Sequence, residues 1–351
     1  MLGRGSSGQT SSPPARLLHR LAVVAVCLVW PLIWVGGLVT TYDAGMSVPD
    51  WPGTYGYNLF LYPLGTWMFG PFDLFIEHGH RLLGALVGFV AILIVIAAYR
   101  REPRHWVRLL TVALLVAVIS QGLLGGLRVV LSDRTLAMVH GCVGPAFFAL
   151  CVATAVITSR TWWSMGSEEG SPKVGLSRLV FATVGAMLIL SYLQIILGAK
   201  VRHVQPTAEP GQFTTTVAQH VSVAVFLWIL GSFAYLRLRR CGDLTLSRPG
   251  VALLGLVSLQ IGLGVFTWVA NYGWPGILGL RMIQAIPGAA GYLIQAKGFW
   301  DSIIVTSHVA IGSLILAFST LLFLRVARVR VCCKAANSLP VTAVSTAALG
   351  H

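Results

Sequence analysis

Apolar residues run almost unbroken along eight stretches of the chain, approximately 21–41, 80–99, 108–131, 136–158, 179–199, 217–236, 250–271 and 303–324. A helix that crosses a bilayer needs about 20 predominantly apolar residues, and backbone groups cannot stay unpaired in lipid. The pattern therefore predicts eight transmembrane helices, an all-α polytopic membrane protein. The polar exceptions inside these runs recur. In the second, fourth, sixth and eighth runs a histidine is followed four residues later by a small residue: His80 and Gly84, His140 and Gly144, His220 and Ala224, His308 and Gly312. Positions i and i+4 share a helix face, so each histidine is expected to have a flat notch below it where a large planar ligand lies against the backbone. The odd runs carry their own repeat, Gln121-Gly-Leu-Leu-Gly125, Gln194-Ile-Ile-Leu-Gly198 and Gln260-Ile-Gly-Leu-Gly264, with Val35-Gly-Gly-Leu38 as a weaker echo in the first.

A period of two helices, duplicated, predicts two pseudo-symmetric four-helix bundles related by an axis along the membrane normal. They span 21–158 and 179–324, with a tail over 1–20, a linker over 159–178 and a second tail over 325–351. Composition agrees with a membrane setting: 56% of residues are hydrophobic and 10% charged, and mean hydropathy is +0.79. The net charge of +14 is topological and does not point to nucleic acid. With the tails and linker inside, 18 of the 25 Lys and Arg fall on the cytoplasmic side, notably Arg100, Arg101, Arg104 and Arg108, then Arg237, Arg239 and Arg240. This is the positive-inside bias, and it also suits contact with anionic lipid heads. Even-numbered helices then run from outside to inside, and all four histidines fall in their first turns. Two sites are expected side by side near the outer surface.

A single intramembrane histidine is as readily a hydrogen-bonded core residue as a ligand, although ionisable groups in lipid tend to mark function. Four in register favour two bis-histidine haems. Zinc would need three or four ligands around one point, which two separate bundles do not readily supply. His19, His105 and His351 are peripheral, His203 is an interfacial loop residue, and His78 competes with His80. The glycines of the Gln-x-x-Leu-Gly repeat suit close helix packing, while a buried amide needs partners. Glu77 lies three residues before His80, so a carboxylate can share its face; Ala137, Val217 and Val305 stand at that place in the other repeats. The two halves are chemically unequal, unless Glu77 is an ordinary helix-start charge.

Glu77-x-x-His80-Arg81, four histidines in alternate helices and Gly45-Met-Ser-Val-Pro-Asp-Trp-Pro52 after the first helix together resemble the haem A synthase family over about residues 20–325. The resemblance implies conversion of haem O to haem A by oxidation of a ring methyl group to a formyl group, through successive hydroxylations and loss of water from a gem-diol. It assigns Glu77, His80 and His140 to the substrate site, with Glu77 catalytic, and His220 and His308 to a resident haem b. It further implies the plasma membrane of a bacterium ahead of the mitochondrial inner membrane, with haem O synthase and cytochrome oxidase assembly factors as candidate partners. The cysteine pair of an outer loop found in many bacterial relatives is missing from 42–79 and 200–216. Arg81, Arg128 and Arg202 are candidate contacts for haem propionates, with Lys200 and Arg134 behind them. Residues 42–76 hold Trp51, Tyr55, Tyr57, Tyr62 and Trp67 and no Lys or Arg, suiting either a lid over the site or an aromatic belt. A di-haem b-type quinol cytochrome would share the histidines without needing Glu77. A transporter would place its site near the midplane.

Overall fold

The computed structural model describes residues 16–165, 176–204, 209–272 and 298–337. Its helices are α1 (Arg16–Thr41), α2 (Leu64–Phe69), α3 (Phe72–Arg101), α4 (His105–Val130), α5 (Arg134–Ile157), α6 (Arg160–Ser164), α7 (Arg178–Arg202), α8 (Pro210–Arg239), α9 (Leu244–Tyr272) and α10 (Phe299–Asn337). Eight of them, all but α2 and α6, are long and apolar enough to cross a membrane. The chain is a multi-pass membrane protein built from helices. The expected tails at 1–15 and 338–351, the middle of the linker at 166–175, and the loop at 273–297 lie outside the described residues.

The long helices overshoot their apolar runs. Hydropathy marks the part that needs lipid, whereas the helix continues into the polar interface, where side chains and caps satisfy its ends. Asp133 caps α5 through the Thr135 and Leu136 N–H groups at 2.6 and 2.9 Å, and Ser177 caps α7 through Val180. Residues 325–337 prolong α10, and Arg325 donates to the Thr245 carbonyl at 2.7 Å. Because α3 starts at Phe72, His80 stands in its third turn and not its first. His140, His220 and His308 are likewise more than one turn inside their helices. The acid in the first turn of α3 is Asp73, so the helix-start role considered for Glu77 belongs to its neighbour.

Packing closes two rings. Helix α1 touches α3 and α5, and α4 touches the same two; in the second half α7 touches α8 and α10, and α9 touches the same two. The halves meet through α1 with α10, α5 with α10, and α5 with α7. Exchanging the halves maps this pattern onto itself, which is compatible with the expected pseudo-two-fold axis. Two apolar cores form, one around Leu18, Ile94, Leu114 and Phe148, which Ala317 of α10 joins from the second half, and one around Val184, Met187, Leu238 and Leu253.

Candidate functional site

The four repeated histidines come together in pairs. His80 of α3 faces His140 of α5 with ring centroids 6.4 Å apart, and His220 of α8 faces His308 of α10 at 6.2 Å. In each ring of helices these are the diagonal partners, so each pair spans the bundle interior. All four Nδ1 atoms are buried without a hydrogen-bond partner, and a buried polar atom left unpaired calls for an explanation. Among the described residues no three His, Cys, Asp or Glu side chains gather around one point.

Each imidazole leans on a glycine of the preceding helix. A Cβ placed on Gly36, Gly125, Gly198 or Gly264 would come 2.8, 3.0, 3.1 or 3.2 Å from Cε1 of His80, His140, His220 or His308. Three of these are the last glycine of the Gln-x-x-Leu-Gly repeat, and its glutamine does the rest. The side-chain amides of Gln121, Gln194 and Gln260 donate to the main-chain carbonyls of His140, His220 and His308 at 2.8, 2.9 and 2.8 Å. The notches expected four residues beyond the histidines are therefore partly taken. A Cβ placed on Gly144 or Gly312 would come 3.3 or 3.2 Å from the amide nitrogen of Gln121 or Gln260, whereas one on Gly84 would meet nothing within 4 Å. Spacing within one helix could not show that a side chain from the next helix crosses there.

Adjacent glycines of α1 set the two pairs at one level. Gly36 meets the His80 ring, and a Cβ on Gly37 would lie 2.9 Å from Cγ2 of Thr306, two residues before His308. The sites stand side by side. Arg202 of α7 reaches across the junction of the halves, donating to the Gly37 carbonyl at 2.9 Å and the Thr41 hydroxyl at 2.6 Å. Burial pushes the neighbouring His203 down to about 4, with the Arg202, Arg128 and Arg134 charges acting in the same direction. Here His203 belongs to a cluster of cations, which its position in the sequence as a loop residue did not reveal.

The first site carries extra machinery. Glu77, 2% exposed, pairs through Oε1 with Arg81 at 2.7 Å and accepts the Val48 N–H on Oε2 at 3.0 Å. Arg81 donates as well to the carbonyls of Asp50, Gly53 and Val48 at 2.6, 2.7 and 2.7 Å, so most of its N–H groups hold the loop. That loop, residues 42–71, folds down onto the histidine-bearing end. Trp51 packs over Gly126 of α4, where an added Cβ would fall 2.3 Å from its indole ring, and Thr54 is hydrogen-bonded to His78 Nδ1 at 2.9 Å. His78 packs against Tyr62 and Trp67, which makes it an anchor of the loop. Burial alone would raise Asp50, but the Gly56 and Tyr55 N–H groups, its own N–H and Arg81 hold its carboxyl below the usual carboxylate range. The guanidinium of Arg128 lies against Gly45, whose added Cβ would be 2.6 Å from Nη1.

With this geometry in hand, the sequence can be compared with known proteins. The family model COX15-CtaA, cytochrome oxidase assembly protein, matches residues 19–216. The chain belongs to that family. The matched segment contains the Glu77, His80 and His140 cluster and the loop over it. Two relatives are named as heme A synthases. A heme A synthase of Shouchella clausii is 28% identical over 284 residues, covering 71% of this chain and 90% of the relative. A heme A synthase of Halalkalibacterium halodurans is 27% identical over 189 residues, covering 51% and 57%.

Proposed function

We propose that the protein is a haem A synthase, an oxidoreductase that converts the ring methyl group of haem O into the formyl group of haem A for assembly of a terminal oxidase. One observation carries the reading of the site: two near-identical diagonal histidine pairs, of which, among the described residues, only the first is joined by a buried carboxylate. A metal–imidazole bond of about 2.0 Å, taken twice and added to two ring radii of about 1.2 Å, gives roughly 6.4 Å between ring centroids. The observed 6.4 and 6.2 Å suit an iron between each pair. The residues fit haem.

In this reading His80 and His140 hold the substrate haem O, and His220 and His308 hold a resident haem b. Haem b, when bound, supplies one-electron redox chemistry beside the substrate. Glu77 is held in place by Arg81 and the Val48 N–H. Its carboxylate stabilises positive charge developing at the methyl carbon and accepts the proton that leaves. The glycines let the imidazoles approach the neighbouring helices, and the folded loop keeps water from the reacting edge. Arg128 and Arg202 are cations at the histidine-bearing end outside the two ion pairs, Glu77 with Arg81 and Glu102 with Arg104, found among the described residues. Buried charge needs a counter-charge, so both suit haem propionates, while the commitments of Arg81 leave it mainly a loop clamp. We read the arginine-rich ends of the helices as cytoplasmic, in keeping with the positive-inside bias, and the histidines as lying near the outer face of a bacterial plasma membrane. Haem O synthase and oxidase assembly factors are the partners this activity would require.

Pigment analysis of the purified protein tests the function. Haem b together with haem O or haem A is expected. Haem b alone, at two per chain, would turn the reading to a di-haem electron carrier.

A further inference from the structure

We propose that His80 is the exchangeable ligand of the first site and that Gln121, Gln194 and Gln260 are positioning residues that keep the other three histidines from letting go. This rests on the bis-histidine reading above. His140, His220 and His308 each have their main-chain carbonyl tied to the neighbouring helix by a glutamine amide at 2.8 to 2.9 Å. Each amide stands four residues before the glycine that receives the ring. At the matching place before Gly36 the residue is Leu32, a hydrocarbon, and among the described residues no side chain donates to the His80 carbonyl.

The space beside the ligands differs in the same sense. The amide nitrogens of Gln121 and Gln260 crowd Gly144 and Gly312, while nothing lies within 4 Å of a Cβ built on Gly84. An imidazole leaves its metal only if the ring or its helix shifts. At the three clamped histidines such a shift stretches a cross-helix hydrogen bond in an interior without water to replace it. At His80 there is no such bond, and no side chain crowds Gly84 one turn further along its helix. The arrangement gives the substrate haem one coordination position that a small neutral ligand can enter, on the side that also carries Glu77, and leaves the second haem closed on both sides.

Carbon monoxide titration of the reduced, haem-loaded protein, followed by absorption spectra, tests this. Carbon monoxide is expected to bind the first-site haem and leave the second six-coordinate. Leu32→Gln should weaken that binding by about threefold to tenfold, the worth of one amide hydrogen bond. Gln121→Leu should not weaken first-site binding, because His80 already opens there, and Gln260→Leu should open the second site. If neither haem of the unaltered protein binds carbon monoxide, or Gln121→Leu raises first-site affinity while Leu32→Gln has no effect, the proposal fails. A closed second site in Gln260→Leu also counts against it, and this variant and Gln121→Leu decide the matter should Leu32→Gln not fold. The underlying reading fails separately: His80→Ala and His140→Ala would then both retain the low-spin spectrum of the first-site haem.

Discussion

Glu77 serves two purposes with one carboxylate. One oxygen pairs with Arg81 and the other takes the Val48 N–H, so the group proposed to take part in the chemistry also fastens the loop above it. Glu77→Gln keeps the size and one acceptor but removes the charge and the proton acceptor. Haem should still bind, because His80 and His140 are untouched, while conversion should fall by about 10²- to 10⁴-fold, the usual loss for a positioned acid or base. Extracted pigment should then be haem O with little haem A, and a normal haem A yield would leave Glu77 as a loop fastener only. His78 and His80 make the companion case, two residues apart and pointing about 160° away from each other around the helix. His78→Ala strips Thr54 of a buried partner and two aromatic rings of a neighbour. It should lower thermal stability by about 1–3 kcal/mol while keeping first-site haem. His80→Ala should lose that haem, as spectra of the purified variants would show.

At the scale of helices, the informative unit is a ring of one helix lying on a glycine of another. The eight apolar runs were legible in the sequence because lipid leaves a backbone no alternative to the helix. The four histidines were legible because their register repeats, and Glu77 because its spacing to His80 puts it on the same side. The partner of each ring was not. Gly84, Gly144 and Gly312 looked like the floor of the site because they share a face with the histidines, but the floors are Gly36, Gly125, Gly198 and Gly264 on neighbouring helices. Which helix lies beside which is a long-range fact that no local period contains. The ties from Arg81 and Glu77 to the loop were hidden for the same reason, since they depend on how residues 42–71 fold back. A direct contrast follows. Gly84→Ala meets open space and should leave haem content near that of the unaltered protein. Gly125→Val and Gly264→Val push branched carbons into His140 and His308, with even the first carbon at 3.0 and 3.2 Å. Each should deplete haem in its own half, measured as haem per protein; equal loss from all three variants would contradict the cradle.

Over the whole molecule, two bundles share one seam, across which Ala317 of α10 enters the apolar core of the first half. Helix α1 belongs to the first half, yet its Gly37 carbonyl and Thr41 hydroxyl receive Arg202 of the second, Thr41 shares a hydrogen bond with Thr306 at 3.2 Å, and Trp30 donates to the Ala310 carbonyl at 3.2 Å. Thr306 and Ala310 flank His308 on α10. The second pair of histidines is thus fixed against the helix whose Gly36 supports His80, but its ligands are its own. Replacing His220 or His308 with Met should therefore remove haem b from the second half while the first half, whose histidines and glutamine clamp are its own, still folds and still takes up haem O. Electrons would have no resident haem to pass through, so such variants should hold haem O and make little haem A. Quantifying haem b and haem O in each purified variant checks both parts. A full complement of low-spin haem b in both single variants would move the resident haem elsewhere and undo the division of labour between the halves.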